Sequence, residues 1–163
     1  MSTLAVQKLV QMAAFRVGDE EYVIDIMRVR EIIRHQALTP IRRGPPAIDG
    51  VLQLRGVSVP VMDMRRRLDL PPSNLASRRI VIVVVGERPV GLIVDRVTEV
   101  VRVTAESIQP APDLLGPSMA PYFLGTCAYR DRILILLNLS TFIAGPAGAI
   151  APPDVDALRE STL

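Results

Sequence analysis

Hydrophobic residues recur along this chain in short runs separated by turn residues, a pattern typical of an all-β protein. The first two runs span 9–17 and 21–25, and a third extended segment spans 29–33. Gly18 and Asp19 supply the turn between the first two runs. Since the runs are short and rich in valine and isoleucine, we predict three strands, the first two forming a hairpin.

The centre of the chain, 48–63, contains two apolar β-branched runs that flank Arg55 and Gly56. This arrangement predicts a second hairpin with a tight turn. Pro60 lies in the second run and has no backbone N–H to donate, so we expect that strand at a sheet edge or beside a bulge. Arg55 is a permanent charge, and it needs a carboxylate, a carbonyl or solvent as its partner.

The rest of the chain continues the pattern of short strands. Residues 64–68 predict one or two helical turns, and the proline-rich segment 70–77 predicts a linker. Six consecutive β-branched residues at 80–85 indicate a strand buried on both faces. Further strands are predicted at 90–95, 97–103, 122–129 and 132–137.

The two halves of the chain share an ordered series of residues. In the first half the series is Gly18, Asp25, Glu31, Gly50, Arg55 and Asp63, and in the second it is Gly86, Asp95, Glu99, Gly125, Arg130 and Asn138. This order predicts two small barrels built to one plan. Chance alignment of valine-rich strands is the alternative explanation.

At 163 residues the chain has room for one domain, or for two small ones that share a core. No apolar run approaches the roughly 20 residues that a membrane-spanning helix needs, and residues 1–12 lack the features of a signal peptide. Cys127 is the only cysteine, so an internal disulfide is excluded. We therefore expect a cytoplasmic protein with no direct membrane insertion, and Cys127 as a small core residue.

The charge balance argues against nucleic acid as the main partner. The chain has 19 basic and 17 acidic residues, a net charge of +2, and its arginines are scattered. The one basic run, 65–67, is interpreted as a solvated face, whereas nucleic-acid binding usually needs a concentrated patch. The pI of about 9.1 keeps a small-barrel nucleic-acid-binding protein as the alternative function.

Candidate catalytic groups are few. His35 is the only histidine, and the sequence has neither a nucleophile elbow nor a phosphate-binding loop. We therefore predict no enzyme activity, no cofactor and no metal. A metal-assisted hydrolase is a further hypothesis, because Asp25, Asp63 and Asp95 each end an apolar run and three carboxylates can hold a divalent cation. Acids that end strands more often cap turns.

Glu31 and Arg55 are the most informative charges, because each lies in an apolar segment predicted to be extended. Either charge would be costly to bury alone, and pairing them across neighbouring strands removes that cost. Such a pair pins two strands together, or it borders a binding surface and offers directional contacts. The residues alone leave both roles open.

Apolar residues exceed what the interior of a small barrel holds. Some of them would line a groove between two barrels, and such grooves accept an amphipathic helix from a partner. The alternative is a fully packed core between the barrels. The residues concerned are Val29, Ile33, Val97, Val100, Val101 and Val103.

Four blocks of the chain resemble the CheW family of bacterial chemotaxis coupling proteins. The blocks are 18–26 with 29–32, then 48–63, then 91–97, and finally 133–139. Together they cover about residues 15–143. Gln53 and Asn138 depart from the family pattern, which usually has asparagine and aspartate at these two positions.

The resemblance implies an all-β fold of two small five-stranded Src-homology-3-like barrels, packed around a shared apolar seam, with one or two short helices. We expect a single domain over 9–145, made of two intertwined barrels. Independently of the resemblance, we expect residues 1–8 and 146–163 to be loose terminal segments. The C-terminal one is rich in alanine, proline and glycine, with a short frayed helix at 154–159.

The resemblance also implies a signal-transduction adaptor without catalysis. Such proteins couple the cytoplasmic tip of a methyl-accepting chemoreceptor to the regulatory domain of a histidine kinase of the CheA type. Glu31 and Arg55 would be paired charges near the receptor-binding surface. The groove would be lined or shaped by Val29, Gly50, Gly91, Val97 and Val100.

Overall fold

The structure is a computed structural model that describes residues 8–41, 48–110 and 120–144. The loose segments predicted at the two ends, and the helix predicted at 154–159, lie outside the described residues apart from Lys8.

Within the described residues the chain forms eleven strands and two short α-helices, with short 3-10 turns between some of them. The first half contains β1 (Leu9–Val17), β2 (Glu20–Asp25), β3 (Val29–Arg34), β4 (Gly50–Leu54), β5 (Val57–Asp63) and α1 (Met64–Arg67). The second half contains β6 (Arg79–Val85), β7 (Arg88–Val94), β8 (Arg96–Thr104), β9 (Ile108–Gln109), β10 (Phe123–Tyr129), β11 (Arg132–Leu137) and α2 (Leu139–Ala144).

The strands form two sheets, which confirms the all-β class. The five-stranded sheet has the order β3-β6-β7-β5-β4, and the six-stranded sheet has the order β8-β1-β2-β11-β10-β9. Each sheet is antiparallel except for one parallel pair, β5 with β7 and β2 with β11. The six-stranded sheet exceeds the predicted five strands by the two-residue strand β9.

The two sheets follow one plan, as the repeated residues predict. Strands β3, β6, β7, β5 and β4 occupy the same places in their sheet as β8, β1, β2, β11 and β10 in the other. Strand β3 pairs with β6 of the second half, and β8 pairs with β1 of the first half. Each half of the chain therefore lends one edge strand to the sheet of the other half.

A shared apolar core joins the sheets, in agreement with the predicted seam. Phe15 and Tyr22 of the six-stranded sheet pack in the same buried cluster as Val83 and Leu92 of the five-stranded sheet. On β1 the residues alternate with these: Met12 and Ala14 face the other side and pack in a second cluster, formed only by the six-stranded sheet. The central strands are thus apolar on both faces, because each face packs against its own set of side chains.

Strand β5 lies inside the sheet, so the prediction that Pro60 marks an edge strand or a bulge was wrong. Pro60 lies opposite Val51, whose own N–H and C=O bond to Thr39 instead of β5. The parallel ladder with β7 begins only at Val61. The missing N–H of proline therefore removes no bond from either ladder.

Helix α2 was missed at the sequence level. It begins after Asn138, whose side-chain oxygen accepts from the N–H of Thr141 at 3.3 Å. Asp63 precedes α1 in the same way and accepts from the N–H of Arg65 at 3.0 Å. Both residues have the short polar side chain that a helix N-terminus favours, and they are counterparts in the repeat.

Candidate functional site

Glu31 and Arg55 form a two-pronged ion pair, which confirms the predicted pairing. Nη1 of Arg55 lies 2.5 Å from Oε2 of Glu31, and Nη2 lies 3.0 Å from Oε1. Glu31 belongs to β3 and Arg55 follows β4, and these strands are opposite edges of the five-stranded sheet. The pair therefore links two sheet edges and not two neighbouring strands, which corrects the predicted geometry.

Arg55 lies in the β4–β5 turn, which confirms the tight turn predicted between the two apolar runs. It does not lie in an extended segment, and that part of the interpretation of its charge was wrong. Its φ is 51° and that of Gly56 is 79°, so both central residues of the turn are left-handed. Such turns match the twist of a hairpin, but they favour glycine, asparagine and aspartate. A left-handed arginine costs about 1 kcal/mol relative to an unstrained backbone.

The pair is open to solvent on the arginine side. The side chain of Arg55 is 73% exposed, whereas that of Glu31 is 21% exposed. The hydrogen bond from Arg55 lowers the pKa of Glu31, and the bond to Glu31 raises the pKa of Arg55. Since exposed ion pairs contribute only about 0–1 kcal/mol to stability, fold stability explains little of this arrangement, and the guanidinium remains available to a partner.

Gly50 and Gly91 are buried positions where neighbouring atoms leave no room for a side chain. A Cβ at Gly50 would lie 2.7 Å from Cβ of Leu38 and 2.9 Å from the carbonyl oxygen of Thr39. A Cβ at Gly91 would lie 2.8 Å from Cγ2 of Ile80. Both glycines shape the packing of the five-stranded sheet and do not present a surface.

The three predicted valines occupy edge strands of different sheets. Val29 on β3 and Val97 on β8 are half-buried and pack against the shared core. Val100, also on β8, is 53% exposed and lies opposite Ala13 of β1. The structure therefore brings Glu31 together with Arg55 and places Val29 on the same strand, while Val97 and Val100 belong to the other sheet.

The second half contains a different charged network, which the sequence interpretation missed. Arg132 at the start of β11 lies 2.7 Å from Glu99 and 3.5 Å from Glu21. Glu21 is buried and also accepts from the hydroxyl of Thr98 at 2.8 Å. Arg130, the counterpart of Arg55, instead lies over the ring of Tyr129. The available signal was Glu21, a carboxylate adjoining the apolar run of β2.

The arginine run 65–67 is a solvated face only at Arg66, whose side chain is 55% exposed, so that interpretation was wrong for the half-buried Arg65 and Arg67. The one-turn helix α1 lies where each of these side chains reaches a partner inside the protein. In order, the partners are Asp95 at 2.8 Å, Asp49 at 2.6 Å, and the carbonyl oxygens of Phe142 and Ile143 at 2.9 Å. The only basic run in the sequence is therefore engaged in holding the fold.

The three strand-ending aspartates have separate structural roles. Asp25 accepts from the N–H of Met27, Asp63 caps α1, and Asp95 accepts from Arg65 and from the N–H of Gly18. The hydrogen bond from Arg65 lowers the pKa of Asp95, whereas burial raises the pKa of Asp63. Over the described ranges, the structure gathers no three potential ligands into a metal site. The metal hypothesis therefore has no structural support.

Comparison with known proteins decides the family. The profile of the family described as CheW-like domain matches residues 11–146. The chain belongs to the CheW-like family.

In the part of the chain that the structure describes, no helix is long and apolar enough to span a membrane.

Members of the CheW-like family resemble the chain over most of its length. This chain is 37% identical to the chemotaxis protein CheW of Klebsiella aerogenes, over 83% of this chain and 82% of that protein. It is 36% identical to the chemotaxis protein CheW of Rhizobium meliloti, over 80% and 85%. The crystal structure of the scaffolding protein TtCheW from Thermoanaerobacter tengcongensis matches with a TM-score of 0.78 at 27% identity, covering 90% of this chain and 95% of that one.

Proposed function

We propose that this CheW-like protein couples the cytoplasmic tip of a methyl-accepting chemoreceptor to the regulatory domain of a histidine kinase of the CheA type. The broader class, a chemotaxis scaffold or coupling adaptor, follows from membership of the family and from the similar chemotaxis and scaffolding proteins. The protein works in the cytoplasm and acts by binding alone, without catalysis.

The Glu31–Arg55 pair is the observation that supports the receptor contact. A guanidinium that is 73% exposed is held in one orientation by two bonds to a carboxylate. Guanidinium groups recognise carboxylates and carbonyl oxygens directionally.

The receptor helix would lie across apolar residues of the two edge strands β3 and β8. Val100 presents an exposed apolar side chain on β8, and Val29 and Val97 lie half-buried on β3 and β8. An amphipathic helix from a partner buries its apolar face on such residues. Gly50 and Gly91 would shape this surface only indirectly, through the packing of the five-stranded sheet that contains β3.

The kinase would be bound through the free edges of the sheets. Strands β4 and β9 end their sheets in the described topology. An edge strand has main-chain groups that a partner can pair with, except at Val51 of β4, whose N–H and C=O already bond to Thr39. Small shifts between receptor and kinase contacts would transmit the signal. The nucleic-acid alternative gains no support, because the basic run 65–67 is engaged inside the protein.

Reconstitution tests the proposed function directly. Purified protein is combined with a histidine kinase and a receptor signalling fragment, and autophosphorylation is measured with and without each component. We expect kinase activity to depend on the receptor only when this protein is present. Kinase activity that is indifferent to its addition, despite a folded protein, would contradict the proposal.

A charge exchange separates a contact from a clamp. Glu31→Arg combined with Arg55→Glu keeps an ion pair between the two positions but reverses its direction. If Arg55 contacts the receptor, each single variant and the double variant lose receptor binding. Recovery of binding in the double variant would mean that the pair only holds the strands.

A further inference from the structure

A basic pocket of about 390 Å³ lies where the end of β3 meets the start of β6. Its charged and titratable lining side chains are all basic, and they come from two separate segments of chain. The lining includes Arg34, His35, Asn74, Leu75, Arg78 and Arg79, and no carboxylate.

The cross-strand register places like charges together in this pocket. Arg34 of β3 lies directly opposite Arg79 of β6, and Arg78 is adjacent. Like charges directly opposite each other destabilise a sheet. Burial lowers the pKa of His35, and Arg78 lowers it further. The pocket therefore concentrates positive charge at a cost to the fold.

Most of the guanidinium donors in the pocket are unused. In the described part of the chain, Arg34 has no hydrogen-bond or ion-pair partner. Arg78 donates only through Nε, to the carbonyl oxygen of Leu75 at 3.2 Å. Arg79 donates only through Nη1, to backbone carbonyl oxygens at 2.8–3.4 Å. Donors therefore remain on all three arginines for an anion.

Two acids, Asp63 and Asp95, interact electrostatically with Arg78, and neither lines the pocket. Asp63 acts electrostatically on His35 and on Arg78. Its carboxylate accepts from the N–H of Arg65 at the start of α1, and it is not among the lining residues.

We propose that this pocket binds a soluble small molecule that carries two or more phosphate groups, of the size of a nucleoside diphosphate. Guanidinium groups bind phosphate oxygens in pairs. A volume of about 390 Å³ falls within the range of roughly 300–1,000 Å³ usual for small-molecule sites. Leu75, 47% exposed, offers an apolar contact beside the charges. This inference does not depend on the proposed receptor coupling.

Calorimetric titration of the full chain tests the pocket with ADP, pyrophosphate and adenosine. We expect ADP and pyrophosphate to bind and adenosine not to bind. Arg34→Gln and Arg78→Gln should each weaken binding at least about tenfold, because each removes charged hydrogen bonds. The matched control is Arg96→Gln, an exposed arginine that also lies opposite an arginine, Arg16 of β1. Its affinity should stay within about twofold of the unaltered protein.

Three outcomes would overturn the inference. They are an unaltered protein that binds neither phosphate compound, an equal loss of affinity in Arg96→Gln, and adenosine binding as strong as that of ADP. Arg34 is exposed and unpaired, so its variant should keep the unaltered melting curve by circular dichroism. Arg34-dependent flotation with phosphatidylglycerol vesicles, without ADP binding, would instead assign the phosphates to a lipid surface and contradict a soluble ligand.

Discussion

The two halves of this chain carry the same kind of ion pair in different surroundings. In the first half, Arg55 extends from a turn to Glu31 and remains 73% exposed. In the second half, the partner of Glu99 is Arg132, which is 34% exposed and also reaches the buried Glu21. We call Arg132 with Glu99 the inner pair and Arg55 with Glu31 the outer pair. The inner pair is connected to a buried acid, whereas the outer pair presents its arginine to solvent.

The difference shows how one plan serves two purposes. In the second half the turn arginine, Arg130, lies over the ring of Tyr129. The ion pair with Glu99 is formed instead by Arg132, at the start of β11. Arg132 is therefore needed to balance Glu21, whose charge would otherwise be buried with only a hydroxyl partner. Among the described residues, no acid as buried as Glu21 depends on Arg55, whose partner Glu31 is 21% exposed.

The largest effect on stability is expected for Arg65 with Asp95, the most buried ion pair among the described residues. Their side chains are 18% and 11% exposed, and Asp95 also accepts from Gly18. Asp95→Asn leaves Arg65 without its counter-charge, and we expect the free energy of unfolding to fall by about 3 kcal/mol in urea titrations. The repeat counterpart Asp25, which caps an exposed turn, is the control, since Asp25→Asn should cost about 1 kcal/mol or less. Equal losses would contradict the assignment.

An intermediate effect is expected for the inner pair. Arg132→Ala should lower the free energy of unfolding clearly, because Glu21 is left as a buried carboxylate with the hydroxyl of Thr98 as its described partner. Arg55→Ala should change it much less, because exposed ion pairs add little to stability. Urea denaturation of the two variants side by side measures the contrast. A loss at Arg55 as large as that at Arg132 would remove the distinction between inner and outer pairs.

A smaller effect on stability is expected at high pH from Tyr22, which follows Glu21 in β2 and packs in the shared core. Burial, with a contribution from Glu20, raises the pKa of Tyr22 to about 12. The unfolded chain releases this proton near pH 10 and the folded protein only near pH 12, so stability should fall between these values. At pH 11 we expect a loss of about 1 kcal/mol, allowing for partial screening. Denaturation curves of Tyr22→Phe should lack this loss, and an identical pH profile in that variant would contradict the assignment.

Much of the fold could be predicted from local patterns. The hairpins follow from apolar runs around turn residues, and the strand 80–85 is buried in its first four residues, as its β-branched run predicts. The pairing of Glu31 with Arg55 could be predicted because each charge needs a partner. The ordered repeat also indicated the common plan of the two sheets.

The remaining features depend on which strands become neighbours, and local patterns do not contain that information. The parallel pairing of β5 with β7 placed Pro60 inside a sheet. The exchange of β8 between sheets brought Glu99 to Arg132, which is far from it in the sequence. The partners of Arg65 and Arg67 lie far along the chain, so a solvated face was the wrong interpretation for these two arginines. The roles of the seven predicted site residues in binding remain a prediction.

The central claim is that Arg55 is a receptor contact and not only a structural arginine. Arg130 is its matched control, because it occupies the same place in the corresponding turn, with a φ of 46° against 51°. The decisive measurement is the affinity of Arg55→Ala and Arg130→Ala for a receptor signalling fragment. Folding is monitored by urea denaturation. We expect Arg55→Ala to bind at least about tenfold more weakly while remaining folded, and Arg130→Ala to bind like the unaltered protein. Unchanged affinity in folded Arg55→Ala, or an equal loss in both variants, would contradict the account.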